Sequence, residues 1–181
     1  RGSIESRRCQ RRLLPHGQTK VQPGAGPRHF VFHPTQDYIY VINELNSTVT
    51  VFAYDGDAGT LQEIETVTTL PQSYDGDNAC ADIHISRDGN YLYGSNRGHD
   101  SIVVYRVDSA SGKLSLVEHV SAGGKHPRNF ALSPDDRFVL VANRDTNNIV
   151  TFVRDQTTGQ LQPTGIELEV SRPVCVKFTG A

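Results

Sequence analysis

The sequence of 181 residues contains no methionine, no tryptophan and only three cysteines. Cys9, Cys80 and Cys175 are an odd number without CxxC spacing, which argues against a disulfide framework or a zinc site. Neither sign of charge is in excess, since 18 Lys and Arg face 20 Asp and Glu, for a net charge of −2. This balance indicates neither a nucleic-acid-binding field nor an acidic tail.

Long hydrophobic runs are also missing. The longest uninterrupted ones, at 38–42 and 138–142, have five residues each, whereas a membrane-spanning helix needs about 20. A membrane partner is therefore not predicted, and the cytoplasm is the default location.

The start of the chain differs from the rest. Because the sequence has no methionine, Arg1 is not expected to be a native translation start. Residues 1–20 match no other segment, and five of the first twelve are arginine. No aromatic residue is interleaved for base stacking, so we predict a tag remnant or a disordered arm rather than a nucleic-acid-binding tail.

The dominant feature is an internal repeat. Residues 126–162 overlay on residues 79–115 without gaps at an offset of 47, and these overlay on residues 26–62 at an offset of 53. A fourth copy begins at residues 173–178. Repeats with a period of 40 to 50 residues are typical of arrays and propellers.

Each copy predicts four short antiparallel strands. Alternating and β-branched apolar segments are separated by polar turns, and no segment has a helical apolar stripe. A glycine recurs before the last strand, at Gly59, Gly112 and Gly159, where a hairpin turn favours positive φ. The fold class predicted for residues 21–181 is therefore all-β, a β-propeller of four-stranded blades. The predicted blades cover about 26–78, 79–125 and 126–172, followed by a first strand of another blade at 173–178.

Charged residues recur at two places where the apolar pattern does not require them. The start of the first strand and the end of the second lie at the same rim, because the two strands are antiparallel neighbours. The residues found there are Arg28, His29, Asp82 and Arg128 on first strands, and Glu44, Arg97 and Arg144 after second strands.

These rim residues predict a pocket for an anionic ligand, since the planar guanidinium of arginine binds carboxylate or phosphate through two hydrogen bonds. For one charged residue alone, a structural ion pair such as Arg28–Glu44 is the better explanation. Convergence of several such residues from adjacent blades favours a site. His84 is interpreted as an ordinary surface residue, and loop solvation is an adequate explanation for the basic cluster of Lys125, His126 and Arg128.

Several segments resemble the bacterial lactonase family of seven-bladed β-propellers, which includes the propeller-type 6-phosphogluconolactonases. The resemblance implies a partial seven-bladed propeller, corresponding to the C-terminal half of the family fold. It also implies hydrolysis of a small anionic lactone, most specifically 6-phosphogluconolactone, without a cofactor or metal. The segments are GAGPRHFVFHP, YVINELNSTVTVF, CADIHISRDGNYLYGSNRGHDSI, GGKHPRNFALSPDDRFVLVANRDTNNIV and PVCVKF.

The resemblance also implies a site of arginines with a glutamate and a histidine. Carried over by motif, the arginines are Arg28 and Arg97 and the glutamate is Glu44. A family histidine expected one blade upstream has no counterpart, so His29 is the candidate in this chain for activating water.

We therefore predict two groups of site residues. Arg28, His29, Glu44 and Arg97 are the predicted catalytic residues, and Asp82, Arg128 and Arg144 are the predicted substrate-binding residues. Two alternatives remain open: a non-catalytic interaction propeller of the YVTN or WD type, and a cycloisomerase acting on a muconate-type diacid. Because the first and last blades would each leave an apolar face uncovered, self-association or additional N-terminal blades are also expected.

Overall fold

The computed structural model describes residues 16–179, which form twelve strands in three four-stranded sheets and no helix. Within each sheet the strands pair antiparallel in sequence order. The all-β prediction of four-stranded blades is confirmed. The predicted N-terminal arm lies outside the described residues as far as residue 15, and residues 16–20 form no strand.

The three sheets follow each other along the chain, and we call them blades I, II and III. Blade I contains β1 (Pro27–Phe32), β2 (Tyr38–Asn43), β3 (Thr48–Asp55) and β4 (Thr60–Thr68). Blade II contains β5 (Ala79–Ile85), β6 (Tyr91–Arg97), β7 (Ser101–Val107) and β8 (Leu114–Ser121). Blade III contains β9 (Pro127–Leu132), β10 (Phe138–Asn143), β11 (Asn148–Arg154) and β12 (Leu161–Glu169).

Blade II is apolar on both faces because it packs between two other sheets. Successive residues of a strand point to opposite faces. Leu92 on β6 accordingly belongs to the core shared with blade I, whereas Tyr93 belongs to the core shared with blade III. Both side chains are fully buried. This stacking explains why the second strand of the repeat has no polar face.

The recurring glycine holds neighbouring blades together. Gly112 has φ of 72° and Gly159 has φ of 76°, so the positive φ predicted for this turn is confirmed. Tyrosines of the preceding blade also press against these turns: a Cβ on Gly112 would lie 2.7 Å from Cδ1 of Tyr38. Tyr93 donates its hydroxyl to the carbonyl of Gly159 at 2.9 Å. Glycine is therefore required both for the backbone conformation and for the close approach.

The predicted strand at residues 173–178 is wrong for this structure, where these residues form no strand. A strand needs a hydrogen-bonded partner strand, and among residues 16–179 no strand pairs with this segment. It is instead fastened by a side chain, since the amide of Val176 donates to Oδ1 of Asn129 at 2.6 Å. Across residues 16–179 the structure contains no helix long and apolar enough to cross a membrane.

Candidate functional site

The register of the first two strands builds the rim. Pro27 pairs with Asn43, Cys80 with Asn96, and Pro127 with Asn143. The start of each first strand therefore lies beside the end of its second strand. The residue that follows each of the three asparagines therefore lies at this rim. These residues are Glu44, Arg97 and Arg144.

The rim asparagines are completely buried and hold the loops in place. Asn96 donates to the carbonyl of Thr69, and Asn143 to the carbonyl of Ala122, both at 2.9 Å. These bonds satisfy backbone groups at the junction between blades, which would otherwise be costly to bury. The backbone leading to each rim residue is consequently well fixed.

Glu44 joins blades I and II through two arginines. Its Oε2 lies 3.5 Å from Nε of Arg28, and its Oε1 accepts a hydrogen bond from Nη2 of Arg97. The hydrogen bond from Arg97 lowers the pKa of Glu44, although burial opposes this shift. The predicted Arg28–Glu44 pair is thus present, but it is part of a larger cluster in which one carboxylate serves two cations.

Arg97 is largely committed to protein groups. It donates from Nε to the carbonyl of Ala79 at 3.2 Å and from Nη2 to that of Cys80 at 2.6 Å. Its side chain is only 8% exposed, against 17% for Arg28. Arg28 donates to one carbonyl, that of Ala81, at 3.2 Å. Arg28 therefore has more capacity for a ligand, and Arg97 mainly positions Glu44.

Asp82 connects all three blades. Its carboxylate is nearly buried, at 4% exposure. Oδ1 lies 2.8 Å from Nδ1 of His29, and Oδ2 lies 3.1 Å from Nε2 of His84 and also accepts from Nδ2 of Asn129. The backbone amides of Ile83 and Phe130 donate to the same carboxylate.

These contacts give Asp82 a role different from the predicted substrate contact. Five protein donors occupy its two oxygens, and few acceptor positions are left for a ligand. Burial raises the pKa of Asp82, but the hydrogen bonds from His84 and His29 outweigh it and hold the pKa well below its usual range. Asp82 is therefore ionised near neutral pH and anchors the groups around it.

His29 is the most exposed member of this group, with 46% of its side chain accessible. An ionised carboxylate can only accept hydrogen bonds, so Nδ1 of His29 carries the proton shared with Asp82. In the neutral ring, Nε2 is then the unprotonated nitrogen. A histidine oriented in this way by a buried carboxylate is suited to accept a proton from water.

The interpretation of His84 as an ordinary surface residue is wrong. Its side chain is 28% exposed, and it contacts Asp82 as well as the ring of Phe130, at a centroid distance of 4.7 Å. The available signal was the spacing: His84 lies two residues after Asp82 on one strand, so both face the same way.

The remaining predicted arginines differ from each other. Arg144 makes two hydrogen bonds to Asp145, at 2.6 and 3.0 Å. The side chain of Arg128 is half-buried and makes no hydrogen bond or ion pair within residues 16–179. Burial lowers the pKa of Arg28, Glu44 opposes this, and the charges of Arg97 and Arg128 lower it further. Arg128 therefore belongs to the same electrostatic environment as the Glu44 cluster.

Comparison of the sequence with known protein families identifies the family of this chain. Residues 5–178 match the family described as "Lactonase, 7-bladed beta-propeller". The chain belongs to this family of lactonase propellers. The predicted resemblance is confirmed.

Two curated relatives share this similarity over most of the chain. The 6-phosphogluconolactonase of Bacillus subtilis is 42% identical over 166 residues, covering 92% of this chain and 48% of the relative. The 6-phosphogluconolactonase of Formosa agariphila is 47% identical over 155 residues, covering 84% of this chain and 43% of the relative. The chain therefore spans about half the length of these relatives.

Solved structures agree with the fold. A protein from Lactobacillus plantarum superposes with a TM-score of 0.90 at 36% identity, covering 93% of this chain and 49% of the other. A periplasmic gluconolactonase from Pseudomonas aeruginosa superposes with a TM-score of 0.85 at 39% identity, covering 90% and 45%. The three sheets thus match about half of each of these two solved structures.

A cleft of about 430 Å³ opens beside Arg97. Its wall includes Lys125, His126 and Asp145, from the loops of blade III. His126 has φ of 62° and places Nδ1 at 3.5 Å from Asp145, so it is more closely integrated than a solvated loop residue. The volume is within the range of small-ligand pockets. Within residues 16–179, no group of three His, Cys, Asp or Glu side chains is arranged to hold a metal ion.

Proposed function

We propose that the protein hydrolyses a sugar-acid lactone, most specifically 6-phosphogluconolactone to 6-phosphogluconate, at the rim formed by blades I to III. The relatives named 6-phosphogluconolactonase and gluconolactonase support this reaction class. The observation that carries the assignment is the orientation of His29, whose Nδ1 lies 2.8 Å from Oδ1 of buried Asp82. His29 lies on β1, the strand that also contains Arg28. A base and a cation for an oxyanion therefore start from adjacent positions of β1.

Water activation is assigned to His29. Nε2 accepts a proton from water as its oxygen attacks the lactone carbonyl carbon, which forms a tetrahedral oxyanion. The charge of Asp82 stabilises the imidazolium that results. The ring carbon–oxygen bond then breaks, and the imidazolium returns the proton to the leaving oxygen. The product is an open-chain hydroxy acid, and His29 is neutral again.

Oxyanion stabilisation is assigned to Arg28. A guanidinium held in a fixed position stabilises developing negative charge without reorganising during the reaction. Glu44 fixes Arg28, and Arg97 fixes Glu44. In this proposal Glu44 and Arg97 are positioning residues, and Arg28 is the group that contacts the substrate.

Acid release from 6-phosphogluconolactone tests this assignment, after subtraction of spontaneous hydrolysis. The complete product of the gene is used, since the chain spans about half the length of its curated relatives. We expect His29→Gln to lower kcat about 100-fold or more, the usual contribution of a general base. Glu44→Gln and Arg97→Ala are expected to lower kcat by smaller factors. Unchanged turnover in all three variants would refute the site.

The two alternatives have a direct comparison. A muconate cycloisomerase would turn over a muconolactone in preference to a sugar lactone, and an interaction propeller would turn over neither. The names of the relatives favour lactone hydrolysis over both. Turnover of muconolactone alone would therefore contradict the proposed reaction.

We also propose that another four-stranded sheet covers the outer face of blade I. Phe30 is 59% exposed, whereas the residues at the same repeat position, Ile83 and Phe130, are 2% and 0% exposed because each faces the preceding blade. Phe32 beside it is 52% exposed. Burying two such rings stabilises an interface by about 1.5 to 3 kcal/mol each. Further blades or a second copy of this chain would provide the cover.

The cytoplasm is the proposed location. Within residues 16–179, Cys80 and Cys175 form no disulfide with each other, and free thiols persist in a reducing compartment. The related gluconolactonase of Pseudomonas aeruginosa is named as periplasmic. Fractionation of cells that produce the protein distinguishes the two locations, and recovery in the periplasm would contradict the proposal.

A further inference from the structure

The internal repeat allows the surroundings of Arg28 and Arg128 to be compared directly. Arg28 and Arg128 occupy the same repeat position, at the starts of β1 and β9, two blades apart. In blade I the carboxylate of Glu44 lies 3.5 Å from Arg28. In blade III the position of Glu44 is taken by Arg144, which is bonded to Asp145 instead. Arg128 thus has the place of Arg28 without its carboxylate.

The charged residues at the rim also distinguish Arg128 from the others. Arg28 and Arg97 both contact the carboxylate of Glu44. The carboxylate of Asp82 contacts two histidines and accepts hydrogen bonds from the side-chain amide of Asn129 and from two backbone amides. Arg128 is half-buried, and within the part of the chain that the structure describes it forms no ion pair. The charge of Arg128 helps to lower the pKa of Glu44, but no carboxylate contacts Arg128 directly within residues 16–179. A half-buried cation without a contacting carboxylate attracts an anionic ligand.

The position of Arg128 relative to the proposed base follows from the hydrogen bonds. The next residue, Asn129, donates to Asp82, and Asp82 in turn holds His29. His29, Asp82 and Asn129 therefore form one hydrogen-bonded chain across the first strands of three blades. Arg28 lies next to one end of this chain and Arg128 next to the other.

We propose that Arg128 is an anion subsite of this rim. It binds a phosphate or carboxylate group of the lactone that is distant from the reacting carbonyl. This inference rests on the proposed function and deepens it, because it makes the substrate a lactone with a second, charged group. Arg28 takes the oxyanion and Arg128 the permanent anion. The planar fork of Arg128 suits two parallel hydrogen bonds to phosphate.

The test compares a phosphorylated and a neutral substrate. For Arg128→Gln we expect kcat/KM for 6-phosphogluconolactone to fall about 100-fold, since loss of one member of a buried charge pair costs at least tenfold in binding. The loss is expected mainly in KM, because the anion is bound equally in the ground and transition states. For unphosphorylated gluconolactone, kcat/KM is expected to stay within about threefold. Arg128→Lys restores charge but not the fork, and is expected to recover part of the loss.

Arg137→Gln is the matched control. Arg137 is exposed in the turn at the opposite end of β9, and its substitution removes the same charge. We expect it to change kcat/KM for neither substrate by more than about threefold. The unfolding free energy of Arg128→Gln should stay close to that of the wild type, since within residues 16–179 the Arg128 side chain has no hydrogen-bond or ion-pair partner to lose.

Two outcomes would overturn the subsite. Equal losses for both lactones would place Arg128 at the reacting carbonyl, and no loss for either would remove it from the site. If the wild type hydrolyses neither lactone, the proposed function fails separately, and calorimetry with 6-phosphogluconate tests the subsite directly. Binding that Arg128→Gln weakens at least tenfold would then support an anion subsite, and absent or unchanged binding would overturn it.

Discussion

The substitution Asp82→Asn tests how much one buried carboxylate stabilises the three blades. Asp82 is 4% exposed and accepts from His29, His84 and Asn129 as well as two backbone amides. Asparagine keeps one acceptor oxygen, but its amide nitrogen replaces the other. That nitrogen is a donor and would face the donors that Asp82 now accepts from. Breaking a buried charged network in this way costs about 3 to 5 kcal/mol. We take about 3 kcal/mol, because the isosteric amide retains part of the network.

Urea denaturation measures this loss. A change of about 3 kcal/mol with an m-value of roughly 2 kcal/mol/M shifts the midpoint by about 1.5 M. Asp108→Asn in blade II is the control, since Asp108 is an exposed turn residue that bonds only to nearby groups of its own turn. Its midpoint is expected to move far less.

The pH dependence of the difference is a second readout. The pKa of Asp82 is lower in the folded state than the value of about 3.9 in an unfolded chain. The carboxylate therefore stabilises the fold above the unfolded pKa, and this contribution is lost as pH falls below about 4 toward the folded pKa. The stability gap between wild type and Asp82→Asn should narrow over that acidic range. A midpoint shift below about 0.3 M, or a gap constant with pH, would refute the anchoring role.

Four further outcomes are expected. Gly98→Ala should destabilise the protein by more than about 2 kcal/mol in urea denaturation, because Gly98 has φ of 132° and its Cβ would lie 2.1 Å from a backbone carbonyl oxygen; wild-type stability would contradict the strain. Tyr93→Phe should cost about 2 to 3 kcal/mol in the same assay, because it removes a hydroxyl that donates to the carbonyl of Gly159 and accepts from Nε of buried Arg154 in the next blade, and no loss would deny these contacts any weight. Iodoacetamide should modify exposed Cys175 long before buried Cys80, whose thiol pKa is raised by burial; equal rates by peptide mass spectrometry would count against the core. This chain alone should self-associate in light scattering through its uncovered faces, and a cooperatively folding monomer would exclude that.

Much of the architecture follows from patterns that the sequence repeats. The three copies predicted three antiparallel sheets, and strand register alone places Glu44 beside the start of β1. The strand predicted at residues 173–178 failed because pairing depends on a neighbouring strand, whatever the local pattern. His84 was misread because alternation shows which face a side chain takes but not what that face meets.

The amino-acid sequence by itself determined the repeat, the alternation that makes each blade apolar on both faces, and the set of charged residues left at one rim. These are local or periodic properties, so they can be read without coordinates. Only the tertiary structure decided how those charges pair between blades: Glu44, beside Arg28 in its own blade, also contacts Arg97, Asp82 links His29 to Asn129 of blade III, and Arg128 forms no ion pair among residues 16–179. Such pairings join residues about 50 positions apart in neighbouring blades, and they depend on how the sheets stack, which no single repeat encodes.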